Sequence, residues 1–293
     1  MSKIHSLREA IAENVGDGDT VFIGGFGQCI PFAAAHEIVR QRRRRLVLCR
    51  SGADIVFDLL VAAGCVEKII AGYVGNPGLG LAHAFRRAVE AGTVAVEDWT
   101  NFAMVLRFHA AVLGVPFLPA DILSAGDIPA AVNVRKVVCP YTGRDLSAIP
   151  MLAPDVAIIH AQRADAAGNV QLFGLPGDTL EGALASRRII ATVEEIVAPA
   201  AIRAAPDRTV LPAFRIAAVS KVRFGAYPSY VDRHYGRDDE AYADWDSLSR
   251  DAAALERWIA AEVIGRADYA DYIAAIDKKR LDALVAEAAA VRQ

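Results

Sequence analysis

Two spacings of apolar residues alternate along the first two-thirds of the chain. Short runs rich in β-branched residues predict strands, and several of them, such as VAIIHA and RLVLC, are apolar on both faces. That pattern is typical of strands that helices cover on both sides. Between these runs, apolar residues recur every three or four positions and predict helices. The alternation favours an α/β fold with an open, mostly parallel sheet flanked by helices.

The two spacings also indicate where each element lies. Predicted strands cover residues 20–23, 45–49, 68–74, 94–97, 115–119, 134–139, 156–161, 188–193 and 216–222. Predicted helices cover residues 7–14, 32–42, 55–63, 82–91 and 102–113. The first helix opens with Ser6 and Glu9 at the spacing of a capping box, which satisfies two backbone amides at the helix start.

The last quarter of the chain has a different character. Residues 240–264 have a helical pattern rich in acidic and aromatic residues, and residues 281–291 place several apolar side chains on one helix face. We therefore divide the chain into an α/β domain, residues 1–239, and a helical C-terminal extension, residues 240–293. The extension is expected to pack on that domain or on a partner.

Composition excludes several classes of protein. Lysine and arginine total 32 against 35 acidic residues, so no basic field is present to attract nucleic acid or anionic lipid. The four cysteines, Cys29, Cys49, Cys65 and Cys139, form no C-x-x-C pair, and no cluster has the spacing of metal ligands. There is no signal-peptide pattern and no apolar run of about 18 residues. The sequence therefore indicates a cytoplasmic protein without metal, nucleic-acid or membrane partners.

A glycine-rich segment follows the first predicted strand. Gly24, Gly25, Phe26 and Gly27 stand between that strand and a predicted helix that begins after Pro31. Glycines let a backbone approach a ligand closely, and the amides and dipole of the following helix suit a carboxylate or phosphate. A tight strand-to-helix turn without a ligand is the competing interpretation. The segment is neither a Rossmann fingerprint nor a P-loop.

Polar residues at other strand ends carry weaker signals. Gly75 and Asn76 follow a buried strand and begin an Asn-Pro-Gly turn, so turn chemistry alone would explain them. Asn101 is expected to cap a helix. Glu97 is either a solvated carboxylate or an acid–base group, and His109 is expected to be a hydrogen-bonded core histidine because its neighbours are apolar.

Two later segments have structural interpretations. His160 lies on an apolar strand and is expected to be structural, and residues 165–170 have the composition of a hairpin turn. Glu194 and Glu195 are adjacent on a strand, so they point to opposite faces and only one could enter a given site. Cys29 is the one thiol that could be exposed and reactive, although its apolar context favours burial.

Taken together and in order, these segments resemble the family I coenzyme A transferases, specifically their A subunit. The resemblance rests on GGFG after DGDTVFI, the strand ending YVGN, the segment from Glu97 through Asn101 and Arg107 to GVP, PDVAIIHA with DAAGNV, and TVEEI. The tail around FGAYPS is similar to the longer A subunits of glutaconate CoA-transferase type.

The resemblance implies a subunit that works only beside a homologous B subunit, commonly in an α2β2 heterotetramer. In that family a B-subunit glutamate attacks an acyl-CoA thioester to give a mixed anhydride, and CoA then returns to form an enzyme–CoA thioester. No glutamate here has the context of that nucleophile, so no catalytic residue is placed in this chain. Coenzyme A is a substrate, and no cofactor is expected. The tail hints at a carboxylated or branched acyl group.

Carried over position by position, the resemblance assigns substrate binding to nine residues. They are Gly24, Gly25, Phe26 and Gly27 of the loop, Ser51 and Gly52 near the acyl group, Gly75 and Asn76 of YVGN, and Asn101. Two features depart from the family pattern. The glycine loop lacks one residue before its proline, and Asn101 stands where relatives usually have glutamine. The shorter amide would shift how a substrate carboxylate or the reactive glutamate is held.

The same scaffold is also similar to enzymes that are not transferases. Ring-opening hydrolases of CoA thioesters carry a glutamate at the position of Asn101, and its absence here counts against hydrolysis. Decarboxylases of 3-methylglutaconyl-CoA type keep a similar A subunit but change the B nucleophile, so this chain alone leaves them open. A non-catalytic ligand-binding α/β protein is the third interpretation.

Overall fold

The computed structural model describes residues 2–76 and 80–290. Within these residues the strands are β1 (Thr20–Ile23), β2 (Leu46–Ala53), β3 (Val66–Val74), β4 (Ala95–Asp98), β5 (Phe117–Ala120), β6 (Arg135–Val138), β7 (Asp145–Pro150), β8 (Val156–Asp165), β9 (Val170–Gln171), β10 (Arg188–Val197), β11 (Thr209–Leu211) and β12 (Ala218–Lys221). The α-helices are α1 (Leu7–Asn14), α2 (Phe32–Arg40), α3 (Ile55–Ala62), α4 (His83–Glu90), α5 (Asn101–Leu113), α6 (Ile128–Ala131), α7 (Thr179–Ala185), α8 (Pro199–Arg203), α9 (Asp239–Ser249), α10 (Ala252–Trp258), α11 (Tyr269–Ala274) and α12 (Lys278–Ala290).

An open sheet forms the centre of the described structure. Seven of its strands are parallel and run in the order β12-β10-β8-β1-β2-β3-β4. Strand β9 pairs antiparallel with the C-terminal part of β8, and β11 pairs antiparallel with β9. β8 is buried along almost its whole length, as expected for a strand covered on both faces. The predicted open, mostly parallel sheet is confirmed.

Helices cover both faces of this sheet because successive residues of a strand point to opposite sides. In β1, Val21 and Ile23 pack in one apolar cluster with residues of α1, α2, α3 and α4. Phe22 points the other way and packs with α5 and α7. Its ring meets that of Phe108 edge-on, with the ring centroids 5.2 Å apart.

A second, antiparallel sheet of β5, β7 and β6 packs beside α5. The sequence predicts β5 and β6 but not β7, because β7 has a polar residue on its buried face. That residue is Ser147, whose hydroxyl donates to the carbonyl of Ile122 at 2.6 Å. The hydrogen bond satisfies the buried hydroxyl and lets a weakly apolar segment form a strand.

The predicted hairpin turn between β8 and β9 is confirmed. The Oδ1 atom of Asp165 accepts hydrogen bonds from the amides of Ala167, Gly168 and Asn169 at 3.1, 3.0 and 2.9 Å. This side chain therefore replaces the backbone acceptors that a turn leaves missing.

The C-terminal helices pack on α2 and α3. Tyr242 and Trp245 of α9 belong to the same apolar cluster as Leu59 of α3. The helix predicted over 240–264 is interrupted, because Asp251 caps α10 by accepting from two of its first amides; α10 continues as π-helix over Ile259–Ile264. The helix predicted over 281–291 is α12, and residue 291 lies outside the described residues. The boundary at residue 239 stays a prediction.

Candidate active site

The glycine loop, residues 24–27, leaves the carboxyl end of β1 in a conformation that only glycine adopts easily. Gly25 has a φ of +92° and Gly27 a φ of +72°, in the left-handed region that side chains disfavour. A Cβ atom on Gly25 would lie 2.7 Å from the carbonyl oxygens of Gln28 and Cys29. The backbone therefore has to be bare at Gly25, which is buried against its own chain, whereas the next two residues, Phe26 and Gly27, are exposed.

Several amides of this region are used within the chain, which corrects the expectation of an anion site. Gly24 donates to a carbonyl of β8 at 2.9 Å, and Gly25 donates to the Oγ1 atom of Thr179 at 2.9 Å. At the start of α2, Ala33 donates to the carbonyl of Gly225 at 3.0 Å. These donors are already satisfied, so they are not free to hold a carboxylate or phosphate.

Two segments that the sequence did not assign to the site hold the loop in place, residues 173–179 and 224–232. The buried Gln28 donates through Nε2 to the carbonyls of Phe173 and Leu175, each at 2.8 Å. The hydroxyl of Ser229 donates to the carbonyl of Gly27 at 2.8 Å, across 202 positions of the chain. Contacts of this range leave no local pattern in the sequence.

The carboxyl end of β2 meets the same loop. A Cβ atom on Gly52 would lie 3.7 Å from the ring of Phe26, and the amide of Ser51 donates to Oδ2 of Asp178 at 2.8 Å. Ser51 and Asp178 are both buried. The structure therefore brings the predicted residues 24–27, 51 and 52 together, with residues 177–179 as the link between them.

The carboxyl end of β3 lies beside that of β2, because the amide of Gly75 donates to the carbonyl of Ala53 at 3.1 Å. Asn76 is buried, and neither its Oδ1 nor its Nδ2 has a hydrogen-bond partner among the described residues. The Oδ1 atom of Asp178 is also buried and has no hydrogen-bond partner among the described residues. Buried polar atoms without partners are costly, so both side chains are suited to a ligand or a water. Pro77 and Gly78 of the predicted turn lie outside the described residues.

Asn101 lies at the same edge of the sheet but is not the helix cap that the sequence predicted. Thr100 caps α5 instead, with Oγ1 accepting from the amide of Ala103 at 3.1 Å, and Asn101 is the first helical residue and is exposed. It packs so closely on β3 that a Cβ atom on Gly72 would lie 2.5 Å from its Oδ1 atom. Since β3 is two strands from β1, the amide lies about 10 Å across the sheet from the glycine loop.

Glu97 and His109 differ from the expectations for them. Glu97 accepts hydrogen bonds from Lys68 Nζ at 2.6 Å and from Trp99 Nε1 and Arg107 Nη1 at 2.8 Å each. Burial alone would raise the pKa of Glu97, but these donors hold it below its ordinary value. It is therefore a structural carboxylate and not a solvated one. His109 is exposed rather than a core residue, because it falls on the outer face of α5.

His160 and Glu194 form a buried network that holds the segment after β12. Glu194 accepts from the amides of Phe224 and Gly225 at 2.9 and 3.0 Å, and from Tyr235 Oη and His160 Nε2, each at 2.9 Å. Burial opposes ionisation, yet these hydrogen bonds hold the pKa of Glu194 below its ordinary value. The structural interpretation of His160 is confirmed. Glu195 points outward, so one carboxylate of the pair is inside.

Cys29 does not provide a reactive thiol. It is buried, and burial raises the pKa of its thiol well above the ordinary value. A thiol that stays protonated is a poor nucleophile. Within the described ranges, no His, Cys, Asp or Glu side chains are grouped as metal ligands are, and no helix is long and apolar enough to cross a membrane.

Exposed aromatic rings flank this edge of the sheet. Phe26 is 40% exposed and Tyr73 45% exposed, and both lie beside Gly52, since Tyr73 is its register partner on β3. Phe102, next to Asn101, is 59% exposed. Neighbouring exposed rings mark a surface that another molecule covers. Unpartnered amide and carboxylate atoms and an exposed aromatic surface make this edge suited to binding another molecule.

Comparison with known proteins places this arrangement in one family. Residues 4–222 match the family model for coenzyme A transferase. The chain is 40% identical over 280 residues to the A subunit of the 3-oxoadipate CoA-transferase of Pseudomonas knackmussii, covering 94% of this chain and 99% of that one.

Two solved structures share the fold. The crystal structure of glutaconate coenzyme A-transferase from Acidaminococcus fermentans superposes with a TM-score of 0.93 at 29% identity, covering 97% of this chain and 95% of that one. The decarboxylase AibA/AibB superposes with a TM-score of 0.78 at 31% identity, covering 89% of this chain and all of that one. The glycine loop, the parallel sheet and these matches together show that the chain belongs to the coenzyme A transferase family.

Proposed function

We propose that this chain is the A subunit of a two-subunit enzyme that transfers coenzyme A between an acyl-CoA and a free carboxylic acid. The observation that carries the proposal is the glycine loop at the carboxyl edge of a parallel sheet, where Gly24 and Gly25 pack inside the chain and present the exposed Phe26 and Gly27. Ligands of open α/β sheets bind at this edge. Relatives named as A subunits of CoA-transferases support a B-subunit partner, and we extend this to an α2β2 heterotetramer.

The reaction proceeds on the partner's carboxylate. The B-subunit glutamate attacks the thioester carbonyl and the C–S bond breaks, which releases CoA as a thiolate and leaves a mixed anhydride between the glutamate and the acyl group. The thiolate then attacks the glutamyl carbonyl, which releases the first acid as its carboxylate and leaves an enzyme–CoA thioester. A second acid reverses these steps and departs as the new acyl-CoA, so no oxidant, metal or water is consumed.

This chain's residues bind and position the acyl group. Gly24 and Gly25 are buried and set the shape of the loop, the exposed Gly27 offers bare backbone to the acyl chain, and Phe26 covers that chain from the side of Gly52. Asn76 and Asn101 supply neutral amides, of which that of Asn76 has no partner among the described residues. An amide donates to a carboxylate without a charge of its own, which suits the second carboxylate of a dicarboxylic acyl group. Relatives named for 3-oxoadipate and glutaconate support a dicarboxylic acid, with a branched acid as the other option.

The test is mass spectrometry of acyl-CoA products formed by this chain co-expressed with its B subunit. The assay contains a panel of acyl-CoAs with and without free acids, including 3-oxoadipate and glutaconate. We expect a new acyl-CoA to form only when an acceptor acid is present. Formation of free CoA without a new acyl-CoA would contradict the proposal.

Decarboxylation is the second candidate, and the similarity to the decarboxylase AibA/AibB favours it. It would appear in the same assay as loss of CO2 from an acyl-CoA with no acceptor. Hydrolysis is disfavoured because Asn101 carries no ionisable group where a hydrolase would have a glutamate. A non-catalytic binding protein would show no turnover at all.

A further inference from the structure

Three arginines, which we call the arginine cluster, lie around the ring of Phe173 just after β9. The guanidinium carbons of Arg163, Arg208 and Arg233 lie 5.2, 4.8 and 5.1 Å from the centroid of that ring. Since each lies within 5.2 Å of one point, no two of these carbons are more than about 10 Å apart. The arginines come from β8, from the turn before β11 and from the segment after β12, so only the fold brings their charges together.

The positive charge of the arginine cluster is only partly balanced. Arg233 has a carboxylate oxygen of Asp232 3.4 Å from its Nε atom, and Arg163 donates through Nε to the neutral amide oxygen of Gln171 at 2.8 Å. Among residues 2–76 and 80–290, no carboxylate oxygen lies within 4.0 Å of a side-chain nitrogen of Arg163 or Arg208. An aromatic face attracts cations but does not cancel their charge. The cluster therefore suits an anion that carries several negative charges.

Two other carboxylates close to these arginines along the strands and the chain do not pair with them. Glu195 is the register partner of Arg163 on β10, but its Oε1 atom lies 3.5 Å from Nε2 of His234. Asp207, which precedes Arg208, is exposed and therefore solvated. The guanidinium groups of Arg163 and Arg208 are thus available to a ligand.

One residue links the arginine cluster to the glycine loop. Gln28, next to Gly27, donates through Nε2 to the carbonyl of Phe173 at 2.8 Å. Its Oε1 atom accepts from the amide of Asp232, the residue before Arg233, at 3.3 Å. The cluster therefore lies beside the glycine loop at the carboxyl edge of the sheet. Its three arginines are at least partly exposed, and the side chain of Arg233 is 45% exposed.

We propose that the arginine cluster binds the phosphate groups of the coenzyme A substrate, a role that rests on the proposed function. The pyrophosphate and the 3′-phosphate of coenzyme A together carry several negative charges at neutral pH, and a long neutral arm joins them to the thiol. The thiol has to reach the acyl group at the glycine loop, so the charged end lies beside the loop and not in it. Planar guanidinium groups donate to two phosphate oxygens at once, which makes arginine suited to this end of the substrate.

The test measures binding of coenzyme A, by isothermal titration calorimetry, to this chain in its complex with the B subunit. Loss of a charge-assisted hydrogen bond predicts about tenfold weaker binding for Arg208→Gln and for Arg233→Gln. Arg208→Lys keeps the charge but not the planar fork, so it should weaken binding less than Arg208→Gln does. Arg187→Gln is the matched control and should change binding less than twofold, because Arg187 is exposed at the opposite, amino edge of the sheet, just before β10.

Arg233→Gln keeps the test decisive if Arg208→Gln does not fold, because the Arg233 side chain is the more exposed of the two. The phosphate role is wrong if the glutamine variants bind coenzyme A as the unmodified complex does, or if Arg187→Gln weakens binding equally. It is also wrong if the glutamine variants separate from the B subunit in size-exclusion chromatography, since the arginines would then bind the partner.

Because binding is measured without turnover, the two proposals fail in different ways. Normal CoA transfer with unchanged binding in the glutamine variants would refute only the phosphate role. Coenzyme A binding that depends on the arginine cluster, in a complex that transfers no CoA, would refute only the transfer reaction. An unmodified complex that does not bind coenzyme A would refute both.

Discussion

Two polar regions at the carboxyl edge of the sheet are built in opposite ways. Around Glu194 every oxygen has a donor, from two amides, a tyrosine and a histidine. Around Asn76 and Asp178, buried amide and carboxylate atoms have no partner among the described residues. A satisfied buried network rigidifies a fold, whereas unsatisfied buried atoms reduce its stability unless another molecule pairs with them.

This contrast distinguishes the residues that hold the glycine loop in place from the residues that are available to bind a ligand. The Glu194 network fixes residues 224–225, and the segment that follows carries Ser229 to the glycine loop. The glycine loop is therefore held in place by a region in which both carboxylate oxygens of Glu194 already have hydrogen-bond donors. The edge with Asn76, Asp178 and the exposed rings has polar atoms and apolar surface left to bind another molecule.

The largest effect is expected at Gly25. Gly25→Val places a side chain against two carbonyl oxygens and should abolish CoA transfer, with losses above about a thousandfold, because it displaces the loop that positions the exposed Phe26 and Gly27. Gly18→Val is the matched control, because Gly18 also has a positive φ but has open space around it. Both variants carry the backbone strain of about 1–2 kcal/mol. Equal activities in the two would mean that the loop is only a turn.

A large loss of stability, with little change in the chemistry, is expected at Glu194. Glu194→Gln breaks a buried charged network and should cost about 3 kcal/mol of unfolding free energy, measured by urea denaturation. Glu195→Gln, exposed on the same strand, should cost less than about 0.5 kcal/mol. A loss of less than about 1 kcal/mol in Glu194→Gln would show that the Glu194 network does not stabilise the fold.

The same pair of variants has a pH signature. Because the folded pKa of Glu194 is lowered from 4.5, its contribution to stability is complete above pH 4.5 and is lost as the pH falls through the folded value. The unmodified chain and Glu195→Gln should both lose stability on acidification below pH 4.5. Glu194→Gln should lose less, and an identical slope would contradict the assigned role.

An intermediate effect on turnover is expected at Asn101. Asn101→Ala removes the exposed amide that we propose holds a substrate carboxylate or the reactive glutamate, and should lower kcat/KM about tenfold to a hundredfold. Fold and assembly should be intact. His109→Ala, exposed on the same helix, is the control, and unchanged kinetics in Asn101→Ala would place Asn101 outside the site.

The smallest effect on activity is expected at Asn76, and a comparison with Asn169 tests most specifically the difference between unpartnered and partnered buried polar groups. Asn76 has no side-chain partner among the described residues, whereas Asn169 donates to Asp165 at 2.8 Å and accepts from Ala213 at 3.0 Å. Asn76→Ala should lower activity about tenfold and change stability by less than about 1 kcal/mol. Asn169→Ala should cost about 1–2 kcal/mol and leave activity unchanged. If thermal melts and activity assays instead showed that Asn76→Ala mainly lowers stability and Asn169→Ala mainly lowers activity, these two roles would be wrong.

Much of the fold could be predicted from local pattern. The bounds of β1 and α1 match the prediction, because short β-branched runs and a capping box are local signals. Elements whose burial depends on distant polar partners were not predicted, such as β7 with its buried Ser147. The helical tail was expected, but its division at Asp251 was not.

The candidate site was only partly predictable for the same reason. The glycine loop could be found, since its backbone requires glycine. The bonds from Thr179 to Gly25 and from Ser229 to Gly27 span 154 and 202 positions, and no local pattern reports them. The sequence predicts Asn101 as the cap although Thr100 is the cap in the structure, because both residue types cap helices and only the backbone angles distinguish them.

In the proposed function, this chain binds the acyl group and its partner carries the nucleophile. Intact-mass spectrometry tests it directly, on the co-expressed pair incubated with an acyl-CoA and quenched in acid. We expect a CoA or acyl adduct on the B subunit and none on this chain. An adduct on this chain, or acyl exchange by this chain without the B subunit, would contradict it.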